Sequence, residues 1–168
     1  MAGIGAELLG RLFDEHASAL VLYARQWSDR PEDAVQDAFI SLARQSRLPD
    51  CVVPWLYRVV RNGSIAATRG ERRRRRREAL VSDPEAWFAS ADERIDAADA
   101  TRLLSELEPD VREVVVARLW GGLTFDEIAR LQGCSLSAAH RRYQAGLARL
   151  QERLERPWTH PNALPKGS

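Results

Sequence analysis

Apolar residues recur every three or four positions along most of this chain, and nowhere do they alternate by two between turn residues. That spacing places apolar side chains on one face of a helix and excludes a sheet. The chain is therefore expected to be all-α. Ile4, Leu8, Leu12 and Phe13 begin an apolar stripe that continues through Leu20, Tyr23, Ala24 and Trp27. Asp29, Arg30 and Pro31 break it, and Pro31 suits the first turn of a second helix, where its missing N–H costs nothing. Ala34, Val35, Ala38, Phe39 and Leu42 form the inner face of that helix. A loop from about Ser46 to Val53 leads to Pro54, which is expected to open a third helix with Trp55, Leu56, Val59 and Val60 inward. Gly63 and Ser64 weaken this helix without necessarily ending it.

A stretch rich in Ala, Ser, Asp and Glu follows and has the character of a flexible linker, in which Trp87 and Phe88 could dock on something. Helices resume near Ile95. Pro109 starts one that holds Val111, Val114, Val115 and Leu119, and Gly121 with Gly122 stops it. The expected organisation is two small helical domains, 1–78 and 95–156, with a linker over 79–94 and a tail over 157–168. A chain of 168 residues has room for this.

Bulk properties narrow the class. No apolar run is long enough for a membrane span, and the first residues lack the pattern of a secretory signal, so a cytoplasmic protein is expected. Cys51 and Cys134 lie far apart, and His16, His140 and His160 are scattered, so neither a disulfide nor a metal site is expected. The formal net charge is only +1, but its distribution is uneven. Nine arginines stand against two glutamates from Arg58 to Glu78, a local +7. From Ser82 to Asp99 six acids stand against Arg94, a local −5. Blocks of opposite sign mark separate surfaces with separate partners.

The segment Leu123 to Arg142 has the pattern of a helix-turn-helix. Thr124 and Glu127 form a capping box for TFDEIARLQ, Gly133 ends that helix, and Ser135 or Ser137 caps a last helix to about Arg156. Ile128, Ala129, Leu136 and Ala139 could pack the two helices together. The inward stripe of the last helix would be Leu136, Ala139, Tyr143 and Leu147. Ser137, His140, Arg141, Arg142 and Gln144 would then be available to a DNA major groove. Arginine can pair with a guanine edge, and other basic groups can grip phosphate. An ordinary helical hairpin with a solvated basic face fits the same pattern.

Two further surfaces stand out. Arg72 to Arg77 are six consecutive like charges, preceded by Trp55, Tyr57, Arg58, Arg61 and Asn62, an aromatic and polar group able to contact unstacked bases. Trp55 itself fits the core better. Glu32, Asp33, Gln36 and Asp37 lie opposite the apolar stripe of the second helix; charge alone makes this a solvated face.

Taken in order, PEDAVQDAFISLAR, VPWLYRVVRNGSIAATRGERRRRRRE and LEPDVREVVVARLWGGLTFDEIARLQGCSLSAAHRRYQAGLARL resemble regions 2.2, 2.3–2.4 and 4 of the extracytoplasmic-function class of bacterial sigma factors. The resemblance runs from about Leu8 to Leu154. It implies core RNA polymerase and promoter DNA as partners, an anti-sigma factor as a further candidate, and no cofactor. It implies that Glu32, Asp33, Gln36 and Asp37 meet the polymerase. Arg58, Arg61, Asn62, Arg69, Arg72, Arg73, Arg74 and the loop Arg47 to Val53 would engage the minus-10 element, and Ser137, His140, Arg141, Arg142 and Gln144 the minus-35 element. The chain departs from the family pattern where Ile65 is followed by Ala66 and Ala67, and at AAHRRYQ in the recognition helix. Those departures bear on which promoter is read, while the architecture stands.

A stand-alone helix-turn-helix regulator would explain the C-terminal half but leave EDAVQDAF and WLYRVVRN without roles. An enzyme acting on nucleic acid finds no carboxylate cluster, nucleophile motif or phosphate loop to support it.

Overall fold

In a computed structural model of the chain, residues 4–75 and 102–155 are described, with 71–75 and 154–155 as backbone only. The expected linker and tail, with Trp87, Phe88 and His160, lie outside them. The described residues are helical and contain no strand. The first group is α1 (Ala6–Ala24), α2 (Pro31–Ala43) and α3 (Val52–Arg75). The second is a helical segment over 102–105 (α4), then α5 (Pro109–Leu119), α6 (Phe125–Gln132) and α7 (Leu136–Glu155).

Leu20 and Tyr23 of α1, Val35, Ala38 and Leu42 of α2, and Leu56, Tyr57 and Val60 of α3 form the core of the first group. Pro31 begins α2 as its composition demands. The first helix stops at Ala24 rather than reaching Trp27; the chain leaves through a turn in which the Trp27 N–H bonds the Ala24 carbonyl at 3.0 Å. The third starts two residues before Pro54, because a proline in the first turn removes an N–H that has no helical partner anyway. It then runs through Gly63 and Ser64 without a break. Packing explains why: Ser64 is fully buried, and the Thr68 hydroxyl bonds the Trp27 carbonyl, fixing the helix to the end of α1.

In the second group, five successive residues of α5, Glu113 to Ala117, are buried. Only a helix covered on every side can bury such a run. Its neighbours are α6, α7 and, from the other group, α1. The α7 helix lies so close that a Cβ on Gly146 would sit 2.5 Å from Val115 Cγ2 and 3.0 Å from Val111 Cγ1. The capping box forms in full: Thr124 Oγ1 accepts from the Glu127 N–H at 3.3 Å, and Glu127 Oε2 accepts from the Thr124 N–H at 2.7 Å. Gly133 ends α6 with φ 66°, in the left-handed region that glycine tolerates best. Ser135 caps α7 by accepting the Ala138 N–H at 3.2 Å.

The two groups touch. Besides α1 against α5, the first helix of the helix-turn-helix, α6, packs against α3. A Cβ on Gly121 would lie 2.6 Å from the Tyr57 hydroxyl, so glycine there permits the close approach of one group to the other.

Candidate nucleic-acid interface

The helix-turn-helix is built from α6 and α7. Ile128 and Ala129 of α6 and Ala139 of α7 are buried as expected, and the Cys134 N–H bonds the Ala129 carbonyl at 2.9 Å across the turn. Leu136 is a correction: it is 50% exposed and does not join the packing. It is the first residue of α7, and side chains lean toward the helix N-terminus, so it projects beyond the end of the stripe. Tyr143 and Leu147 are half-buried, while Gly146, absent from the expected inward set, is buried against α5.

Ser137, His140, Arg141 and Gln144 are exposed together along the first half of α7. His140 is also held. Its ring lies over Phe125 with centroids 3.8 Å apart, and the Arg118 guanidinium lies 4.9 Å from the same Phe125 ring. Arg142 differs from its neighbours: it is half-buried, with Nη1 bonding Gln132 Oε1 at 2.7 Å and Nη2 3.0 Å from Asp110 Oδ2. It ties α7 to α5 and α6.

On α3, Arg58, Asn62 and Arg69 are exposed. Arg72, Arg73 and Arg74 belong to the end of the helix whose side chains are not described, and Arg76 and Arg77 lie beyond it. Tyr57 is fully buried, so in this conformation it offers no face to a base. Trp55 is half-buried and, with Asp50, Cys51 and Arg58, lines a cleft of about 310 Å³ whose opposite wall is Leu123, Glu127 and Leu131. The expected minus-10 end of α3 thus faces α6.

The acidic row of α2 is wholly on the surface: Glu32, Asp33, Gln36 and Asp37 are all exposed. Glu32 lies 3.6 Å from Arg25. Asp33 and Asp37 border a second cleft of about 360 Å³ between α2 and α3.

Arg61 is placed apart from its exposed neighbours. Its side chain is 26% exposed, and its Nε donates to Glu113 Oε1 at 2.7 Å. Burial lowers the pKa of this guanidinium, but the hydrogen bond and charge of Glu113 outweigh that and leave it above its ordinary value. Glu113 is 2% exposed and also accepts from the Tyr23 hydroxyl at 2.6 Å and from Gln132 Nε2 at 3.0 Å. No sequence motif pointed to Glu113. The available signal was its position: a carboxylate inside REVVVARL, where valines leave no polar face, must find donors from another element.

Two groups of helices with a helix-turn-helix in the second, an exposed acidic row and an arginine-bearing α3 define a transcription-type binding protein. Comparison with known proteins gives the family. Residues 98–150 match the model for sigma-70 region 4. The RNA polymerase sigma factor CarQ of Myxococcus xanthus is 30% identical over 131 residues, which cover 73% of this chain and 74% of CarQ. The fold is similar to that of the sigma factor RpoE, co-crystallised with the anti-sigma factor NepR from Bartonella quintana: TM-score 0.68, 22% identity, covering 90% of this chain and 100% of that one. It is also similar to CnrH in complex with the cytosolic domain of CnrY: TM-score 0.63, 23% identity, covering 90% of each chain. The chain belongs to the RNA polymerase sigma factors, in their extracytoplasmic-function class.

Proposed function

We propose that this chain binds core RNA polymerase and directs it to promoters as a minimal sigma factor, with 1–78 serving the polymerase and the minus-10 element and 95–156 the minus-35 element. The observation that carries the assignment of surfaces is the sorting of α7. Ala139 and Gly146 are buried while Ser137, Arg141 and Gln144 are exposed, which is the arrangement of a helix that presents one face to a groove. The exposed acids of α2 supply a protein-docking surface of the sign opposite to that of the DNA-facing helices. Arg58, Asn62 and Arg69 supply the face toward melted DNA. The action is binding rather than catalysis, and its place is the cytoplasm, where polymerase and promoter are. No helix among the described residues is long and apolar enough to cross a membrane. An anti-sigma partner is part of the proposal, because the similar sigma factor RpoE is held in complex with the anti-sigma factor NepR, and the similar CnrH with the cytosolic domain of CnrY.

A stand-alone helix-turn-helix regulator would use α7 in the same way but leave the α2 row idle. Run-off transcription with purified core polymerase on a library of upstream sequences tests the proposal. Selective initiation that depends on the chain is expected. Upstream DNA binding with neither core capture nor initiation would overturn the proposal in favour of the regulator.

A further inference from the structure

The contact between the two helical groups is polar at its centre. Glu113, on the buried run of α5, receives Tyr23 and Arg61 from the first group and Gln132 from its own. Arg61 also lies 5.7 Å from the Trp27 ring centroid. Gln132 passes the connection on, since its Oε1 accepts from Arg142. One carboxylate therefore links an arginine of the expected minus-10 face to one of the recognition helix. Beside it, α6 packs against α3, with the cleft between Arg58 and Glu127 at their junction.

The chemistry suits a contact that opens. A purely apolar interface would expose its apolar surface on separation. Here separation uncovers the Tyr23 and Tyr57 rings but also returns Glu113, Arg61 and the Tyr23 hydroxyl to water, which solvates these polar groups well. Desolvation offsets much of the attraction in a buried pair, so such a pair adds little net stability to the closed arrangement. An incoming polyanion would compete for Arg61 directly.

We propose that Glu113 is an intramolecular latch: its carboxylate holds Tyr23 and Arg61, keeps α6 over the minus-10 end of α3, and must release them before the chain engages polymerase and melted promoter DNA. The mechanical part stands on the contacts alone. The inhibitory part rests on the promoter and polymerase reading given above. Affinity for a partner that needs the open form is reduced by the fraction of chains that are open.

The test uses the full chain with spin labels at Gln45→Cys and Glu152→Cys, exposed positions just after α2 and on α7, in a background of Cys51→Ser and Cys134→Ser. Pulsed dipolar spectroscopy should give one dominant, narrow distance population for the parent. Glu113→Gln keeps the shape and removes the charge. Arg61→Glu sets a second carboxylate against the first and lies in the other helical group, so misfolding of α5 cannot imitate its effect. Both should shift the distribution to longer distances with the far-UV helical signal retained. Unchanged distributions in both variants would overturn the latch. Core polymerase alone is the second probe, and Glu113→Gln should bind it about tenfold more tightly than the parent if one chain in ten is open. Opening without tighter binding would overturn the inhibitory role. If neither parent nor variant binds core, the sigma-factor reading fails, and the distance data still decide the latch.

Discussion

Tyr23 and Tyr57 show how single side chains register the packing of the whole. Both are fully buried, their rings are 4.7 Å apart, and they lie where the two helical groups meet. Burial pushes both phenols above their ordinary range, and for Tyr23 the charge of Glu113 adds to the effect. An unfolded tyrosine ionises near pH 10. A folded value above that leaves the stability contribution intact below about pH 10 and removes it as pH rises toward the folded value. The phenolates of Tyr23 and Tyr57 should therefore appear only above the ordinary range, together with separation of the two groups or loss of the helical signal, as followed by absorbance and circular dichroism and assigned with Tyr23→Phe and Tyr57→Phe. Ionisation of either at an ordinary pH with the helices intact would show that it is not buried in solution. Arg141 makes the opposite case. It is exposed on α7, so Arg141→Ala should leave folding alone. It should cost about 1–3 kcal/mol of discrimination between a selected upstream sequence and a scrambled one. Equal binding ratios in parent and variant, by fluorescence anisotropy, would take Arg141 out of the groove.

Elements obey local rules until a neighbour intervenes, and α7 shows both regimes. Replacing Gly146 with alanine would by helix propensity alone be favourable by about 1 kcal/mol. The new methyl would meet Val115 Cγ2 at 2.5 Å, and a β-branched side chain inside a helix has little freedom to move aside. Overpacking of this kind costs typically 1–3 kcal/mol, so Gly146→Ala should lower the thermal midpoint of unfolding. A raised midpoint would mean that α5 and α7 are not so closely packed. The same contrast sets what was legible in the sequence. The capping box at Thr124 and Glu127, the left-handed Gly133 and the proline at the start of α2 are signals held within a few residues, and the structure contains all three. The close approach at Gly146 and the donors around Glu113 depend on segments distant in sequence, and periodicity carries no record of which faces meet; the early start of α3 and the exposure of Leu136 are effects of helix ends, which a stripe does not register. For the candidate site, α7's exposed residues and the α2 acids could be read from their distance to an apolar stripe. The half-buried settings of Arg61 and Arg142 could not, because the carboxylates that hold them belong to other helices.

At the scale of the whole molecule, the distribution of charge sorts the partners. The acids of α2 stand on the outer side of the first group, away from Leu20, Tyr23, Val35 and Leu56, so their charge can be reversed without touching the core. Asp33 and Asp37 are one helical turn apart and flank the same cleft beside α3, so a docked partner would meet both. A partner that fits this row must present basic groups, and reversal would set like charges across the interface. Such juxtaposition costs several kcal/mol, and it slows association by removing the attraction that guides the approach. Asp33→Arg with Asp37→Arg should therefore bind core polymerase much more weakly than the parent, with Asp37→Arg alone intermediate. The parent's association rate should fall as salt is raised, and that of the double variant should lose or reverse this dependence. Binding followed by pull-down and stopped-flow fluorescence, with far-UV spectra to confirm that α2 persists, decides the matter. Undiminished capture of core by a folded double variant would place the polymerase contact elsewhere on the chain and return the acidic row to the solvated helix face that its charge alone suggested.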